Sequence, residues 1–130
     1  MAIKREIVSI PGIPHNAPLP TGAKIGSIVR SSAISGRDLK TGDIPEEPER
    51  QAEQLYANVV TFMEKAGGSP DDIIHLALYV KEQKYQEVLA AGWLKMFPDE
   101  NNRPARETVV KTEGMYGGRL FEISLMAVLS

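Results

Sequence analysis

Hydrophobic positions along this chain change their period several times, and each change marks an element. Residues 3–9 carry enough two-residue alternation for a first strand. Pro11, Gly12, Pro14, Pro18 and Pro20 then forbid regular structure and predict a loop crossing a surface. Residues 21–26 read as a turn that opens into a strand over 27–35. Residues 36–48 are polar and turn-rich, with Lys40-Thr41-Gly42-Asp43 as a hairpin-like turn. Next, Ala52, Leu55, Tyr56, Val59, Val60 and Met63 repeat at helical spacing with Glu and Gln between them. Gly67-Gly68 ends that helix, because glycine takes the left-handed cap without strain. Residues 73–80 are short and apolar, as a buried strand is. A second helix covers residues 84–96, with Tyr85, Val88, Leu89, Trp93 and Met96 on one side, until Pro98 stops it. Strands over 105–112 and 119–129 close the chain.

The order is β-β-α-β-α-β-β, an α+β chain whose helices cross over between strands and pack on one face of a sheet. The last strand limits what can cover it. Leu120, Ser124, Met126 and Val128 point one way, and Phe121, Ile123, Leu125, Ala127 and Leu129 the other. Both faces call for burial, and two helices cover only one. The second face is expected to pack on copies of the same chain.

At 130 residues the chain is read as one domain with a sizeable core. Its 42% hydrophobic and 25% charged residues are ordinary for a globular protein. The net charge of -2 and the lack of a Lys/Arg run argue against nucleic acid as a partner. Cysteine is absent, which excludes disulfides and thiolate nucleophiles. No apolar run is long enough to span a membrane, and the N-terminus lacks a signal-peptide pattern. A cytoplasmic protein is expected. No metal-ligand spacing occurs, so neither metal nor cofactor is assigned.

Two strand residues carry the candidate chemistry. Arg106 follows Pro104-Ala105 and offers a forked donor to a carboxylate; a surface arginine paired with an acid is the plainer account. Glu122 lies in an otherwise apolar strand, where a carboxylate is costly unless paired or wet. It can hold a water as general base, or it can simply neutralise an arginine. Ser32, with the Ala33 N–H beside it, sits at a strand end and lacks a nucleophile elbow. His75 reads as a core histidine and His15 as a loop residue. Gly114, Gly117 and Gly118 form a hairpin loop around Tyr116, which can close over a ligand. Trp93, Met96 and Phe97 read as core.

These segments together resemble the RidA/YjgF family of imine deaminases, also known as L-PSP endoribonucleases. The likeness runs through Ser31-Ser32-Ala33, Lys40-Thr41-Gly42, Asp72-Ile73-Ile74 with Tyr79-Val80-Lys81, Pro104-Ala105-Arg106 and Phe121-Glu122-Ile123 with Met126-Ala127-Val128. The resemblance implies a chorismate-mutase-like fold, a homotrimer with clefts between subunits, and hydrolysis of an enamine or imine to a 2-keto acid and ammonia. It implies that Arg106 binds the substrate carboxylate and Glu122 positions water. Ser32, the Ala33 N–H and the Thr108 backbone would contact substrate.

The chain departs from the family pattern at Leu19, where a cleft tyrosine is usual, at Ala33 and Ala90, and in a longer loop over 114–118. These departures favour a pathway-specific substrate, for example a longer unsaturated one such as 2-aminomuconate. Two other functions remain open: a non-catalytic module that binds keto acids, and RNA cleavage, which the mild acidity disfavours.

Overall fold

The computed structural model describes residues 4–10 and 19–130. Seven strands form one mixed sheet: β1 (Glu6–Val8), β2 (Gly22–Ile25), β3 (Ile28–Ser31), β4 (Ile34–Ser35), β5 (Ile73–Val80), β6 (Ala105–Val110) and β7 (Phe121–Val128). The order across the sheet is β1-β2-β3-β7-β5-β6, with β4 paired to β7 beyond β3. Helix α1 (Pro48–Ala66) carries the chain from β4 to β5, over β7. Helix α2 (Gln86–Met96) joins β5 to its parallel neighbour β6.

Local chemistry explains the helix ends. Pro48 opens α1, where a missing N–H costs nothing because that group has no partner inside the helix. Gly67 closes it at φ +95°, its N–H donating to the Glu64 carbonyl. The inward stripe of α1, including Leu55, Val59, Phe62 and Met63, is fully buried against the sheet. A single 3-10 turn (Gln83–Tyr85) leads into α2, which buries Leu89 and Trp93. The turn predicted at 40–43 forms as expected. The Asp38 carboxylate accepts from the Lys40 and Thr41 N–H groups, and these two bonds hold it below the usual carboxylate range.

The region before α1 holds four strands rather than two. Residues 22–25 are strand β2, not a turn; the turn is Gly26-Ser27, with Gly26 at φ +58°. Its two-residue length, with glycine first, suits the twist of a hairpin. Gly22 misleads for a physical reason. A Cβ there would stand 2.4 Å from the Phe62 ring and 2.7 Å from the Arg30 carbonyl, so the glycine serves close packing. The strand expected over 27–35 breaks at Ser32-Ala33 into β3 and β4, both paired with β7. The first strand is confined to Glu6–Val8 among the described residues.

The two faces of β7 differ as its alternation predicts. Phe121, Ile123, Leu125 and Ala127 are buried beneath the helices. Glu122, Ser124, Met126 and Val128 occupy the other face, which no helix covers. Pairing aligns Glu122 with Ser35 and Tyr79, Ser124 with Ala77, and Met126 with Arg30 and His75. The open face also presents Ile7, Ile25, Ile28, Val109 and Val128 to solvent. Among the described residues, no helix is long and apolar enough to cross a membrane.

Replacing Gly22 by alanine is expected to lower stability by about 1–3 kcal/mol through overpacking against Phe62 and the Arg30 backbone. Urea denaturation of Gly22→Ala checks this. A neutral result would mean that β2 and α1 are less closely packed than described.

Candidate functional site

Arg106 lies on β6, the edge strand of the sheet. Its register places it beside Leu76, whose side chain faces the helices, so Arg106 lies on the helix side of the sheet. There its guanidinium carbon sits 4.4 Å from the centre of the Trp93 ring, a cation–π contact. Arg103, three residues earlier, packs on the same indole at 5.3 Å. Arg106 makes no ion pair with a carboxylate of the described residues, so its forked donors are free to take an anion. Its positive charge also reaches the Tyr56 hydroxyl. Burial nevertheless raises the Tyr56 pKa well above the ordinary phenol value, and that hydroxyl donates to the Leu89 carbonyl.

Glu122 sits on the uncovered face of β7, in line with Ser35 and Tyr79, and is 8% exposed. Burial pushes its pKa above the ordinary glutamate value; the positive charges of Lys111 and Arg119 oppose that rise without cancelling it. Lys111 Nζ lies 3.9 Å from Oε1 and 5.7 Å from the centre of the Tyr79 ring. A buried carboxylate whose proton is held more tightly than usual is suited to receive and return protons.

The arginine and the glutamate do not lie on adjacent strands. Strand β5 separates β6 from β7, and the two side chains lie on opposite faces of the sheet. One chain therefore brings them to no common pocket. Thr108 lies two residues beyond Arg106 on the same face of the edge strand. Ser32 and the exposed Ala33 occupy the break between β3 and β4. The Ser32 hydroxyl donates to the Pro20 carbonyl at 2.9 Å, and its N–H donates to Thr21, so both of its donors are engaged. Leu19, beside Pro20, is exposed, and Tyr116 is 71% exposed on the loop that precedes β7. Among the described residues, the grooves of a single chain lie elsewhere. One of about 450 Å³ runs between α1 and α2, past Tyr56, Val60, Val88 and Gly92.

His75 is not a core residue. It lies half-exposed on the open face, 3.5 Å from the Glu107 carboxylate, on the side opposite the buried Leu76, Leu78 and Val80 as the alternation of β5 dictates. His15 lies outside the described residues. No cluster of His, Asp or Glu able to hold a metal occurs among the described residues.

Nothing in the local pattern of the chain singles out Gln51. Fully buried in α1, its amide donates to Pro45 and Gly118 and accepts from the Leu120 N–H. It thus fixes the end of the loop that leads into Glu122. Gly36 lies so close that a Cβ there would meet the Gln51 carbonyl at 2.4 Å. A glutamine inside an amphipathic helix looks like a surface residue, and only its place on the buried stripe beside Ala52 and Leu55 marks it. The Trp93 contact was likewise invisible, because a core tryptophan and an arginine platform have the same helical spacing.

Two outcomes follow from this geometry. Gln51→Leu leaves two carbonyls and one N–H unpaired, so a loss of about 1–3 kcal/mol is expected by urea denaturation. For Glu122 the raised pKa means that folding favours the protonated carboxyl. The stability it contributes is present at low pH and lost as pH rises through the folded-state value. Relative to wild type, Glu122→Gln should therefore be more stable at pH 7 than at pH 4. The opposite order in urea titrations at the two pH values would contradict this account of Glu122.

The comparisons with known proteins agree with this architecture. A 2-iminobutanoate/2-iminopropanoate deaminase of Salmonella typhimurium is 32% identical over 93 residues, 71% of this chain and 73% of that protein. A RutC family protein of Aquifex aeolicus is 27% identical over 117 residues, 86% of this chain and 93% of its own length. The crystal structure of the YjgF gene product of Escherichia coli superposes with a TM-score of 0.83 at 26% identity, covering 95% of this chain and 98% of that one. The family model for Endoribonuclease L-PSP matches residues 14–129. The chain belongs to this family, the RidA/YjgF proteins.

Proposed function

We propose that the protein is an enamine/imine deaminase that works at the boundary between copies of its chain. Arg106 of one protomer anchors the substrate carboxylate, and Glu122 of its neighbour directs water onto the C–N carbon. The neighbour's Ser32-Ala33 break and the Thr108 backbone line the same cleft. A closed trimer is the expected assembly. The observation that carries this reading is the placement of the two charges. An unpaired guanidinium on the helix side of an edge strand and a proton-holding carboxylate on the open face can meet only across such a boundary. The apolar residues on that open face supply the surface to be buried there.

The chemistry needs little more. Glu122 as carboxylate takes a proton from water as the oxygen adds to the imine carbon. As carboxylic acid it returns that proton to nitrogen, giving the carbinolamine; the same group then carries the hydroxyl proton to nitrogen as the C–N bond breaks, and ammonia and the keto acid leave. A positioned acid–base group contributes roughly 10²–10⁴-fold, which suits substrates that already hydrolyse slowly in water. The relatives named as deaminases of 2-iminobutanoate and 2-iminopropanoate support this reaction class. The endoribonuclease in the family's name finds no support in the charge of -2, which offers no phosphate track.

Keto-acid release from enzymatically generated 2-iminopropanoate tests the proposal. Arg106→Ala and Glu122→Gln should each fall by roughly 10²–10⁴-fold. Co-expressed and purified as hybrids carrying both tags, the two variants should regain activity, because some boundaries then hold an intact Arg106 and an intact Glu122. Hybrids that form but stay inactive would refute the shared site. Retained keto-acid binding with no turnover in wild type would favour a binding module instead.

A further inference from the structure

Two guanidinium groups share one indole. Arg106 and Arg103 lie 4.4 Å and 5.3 Å from the Trp93 ring, so their separation is bounded by those two distances. Like charges held this close repel one another. Neither finds an ion pair with a carboxylate among the described residues. Asp71 lines the same cavity as Arg103 but makes no ion pair with it. What holds Arg103 is backbone. Its Nε donates to the Phe97 carbonyl at 2.9 Å and Nη2 to Pro98 at 3.4 Å, just past the negative end of α2. Its Nη1 group has no hydrogen-bond partner among the described residues, and neither has the buried Trp93 Nε1.

Two cations that share a rigid platform and lack an acid of their own are matched by a ligand with two negative charges. We propose that the substrate is a dicarboxylate. Arg106 takes the carboxylate next to the reacting C–N bond, Arg103 takes a distal one, and Trp93 sets the spacing between them. This rests on Arg106 being the carboxylate anchor of the proposed deaminase. Arg103 takes no part in the reaction step itself; it selects the length and charge of the substrate. Trp93 is a positioning residue that acts through both arginines.

The test compares imines made in situ by amino-acid oxidases: 2-iminopropanoate from alanine, iminosuccinate from aspartate and 2-iminoglutarate from glutamate. Wild type is expected to favour a dicarboxylic imine in kcat/KM by roughly 10–100-fold, the worth of one charge-assisted hydrogen bond. Arg103→Gln keeps an N–H for the Phe97 carbonyl and removes the charge, so that ratio should collapse. Arg103→Lys should keep part of it. Trp93→Leu should raise KM far more than it lowers kcat, with rescue by Trp93→Phe. A wild type with no dicarboxylate preference, or an Arg103→Gln variant that keeps it, would overturn the proposal. If no imine is turned over, calorimetry with pyruvate and 2-oxoglutarate reads the clamp alone. Tighter binding of 2-oxoglutarate that Arg103→Gln loses would uphold the clamp while the deaminase reading falls. Equal binding of the two acids would sink the clamp.

Discussion

Strand β7 has to satisfy two different environments at once. Every second residue, from Phe121 to Ala127, is sealed beneath α1 and its neighbours, while those between face away from any helix. A two-residue period leaves no freedom here, because shifting the register by one position would put Glu122 into the hydrophobic core and Ile123 into water. That constraint fixes the pairing of β7 with β3, β4 and β5. It therefore sets the position of Tyr79 and Ser35 on either side of the carboxylate. The buried face stabilises the fold, and the uncovered one presents Glu122.

Buried polar side chains in α1 make this arrangement specific. Asn58 donates to the carbonyls of Ser35 and Arg37, and Gln51 ties Pro45, Gly118 and Leu120 to the same helix. Irregular segments before α1 and before β7 carry backbone groups that no ladder satisfies. Each amide supplies several of those bonds from one rigid element. The helix is thereby a scaffold for the two loops that flank Glu122, as well as a cover for the sheet.

Much of this was legible in the chain. Period and punctuation located both helices, β5 and β7, and the alternation of β7 foretold a sheet face that the helices leave open. Glu122 stood out because a carboxylate among Phe121, Ile123 and Leu125 is expensive without a reason. What stayed hidden was non-local. Gly22 looks like a turn residue until the Phe62 ring is placed against it. The break at Ser32-Ala33 depends on two segments sharing β7 as a partner. The distance between Arg106 and Glu122 depends on β5 passing between their strands, which no local spacing records.

The exposed border strand β6 carries one more consequence. Every one of its residues is exposed, including Val109 and Val110, and one row of its N–H and C=O groups has no ladder partner. Such a rim is a template for stray pairing with other chains. Here it is blunted by a proline just before it and by the alternating charges of Arg106 and Glu107. A protomer released by dilution from the proposed assembly would bare this rim together with Ile25, Ile28 and Val128. In the proposed assembly, association would protect solubility as well as chemistry, and the apparent melting temperature would depend on protein concentration.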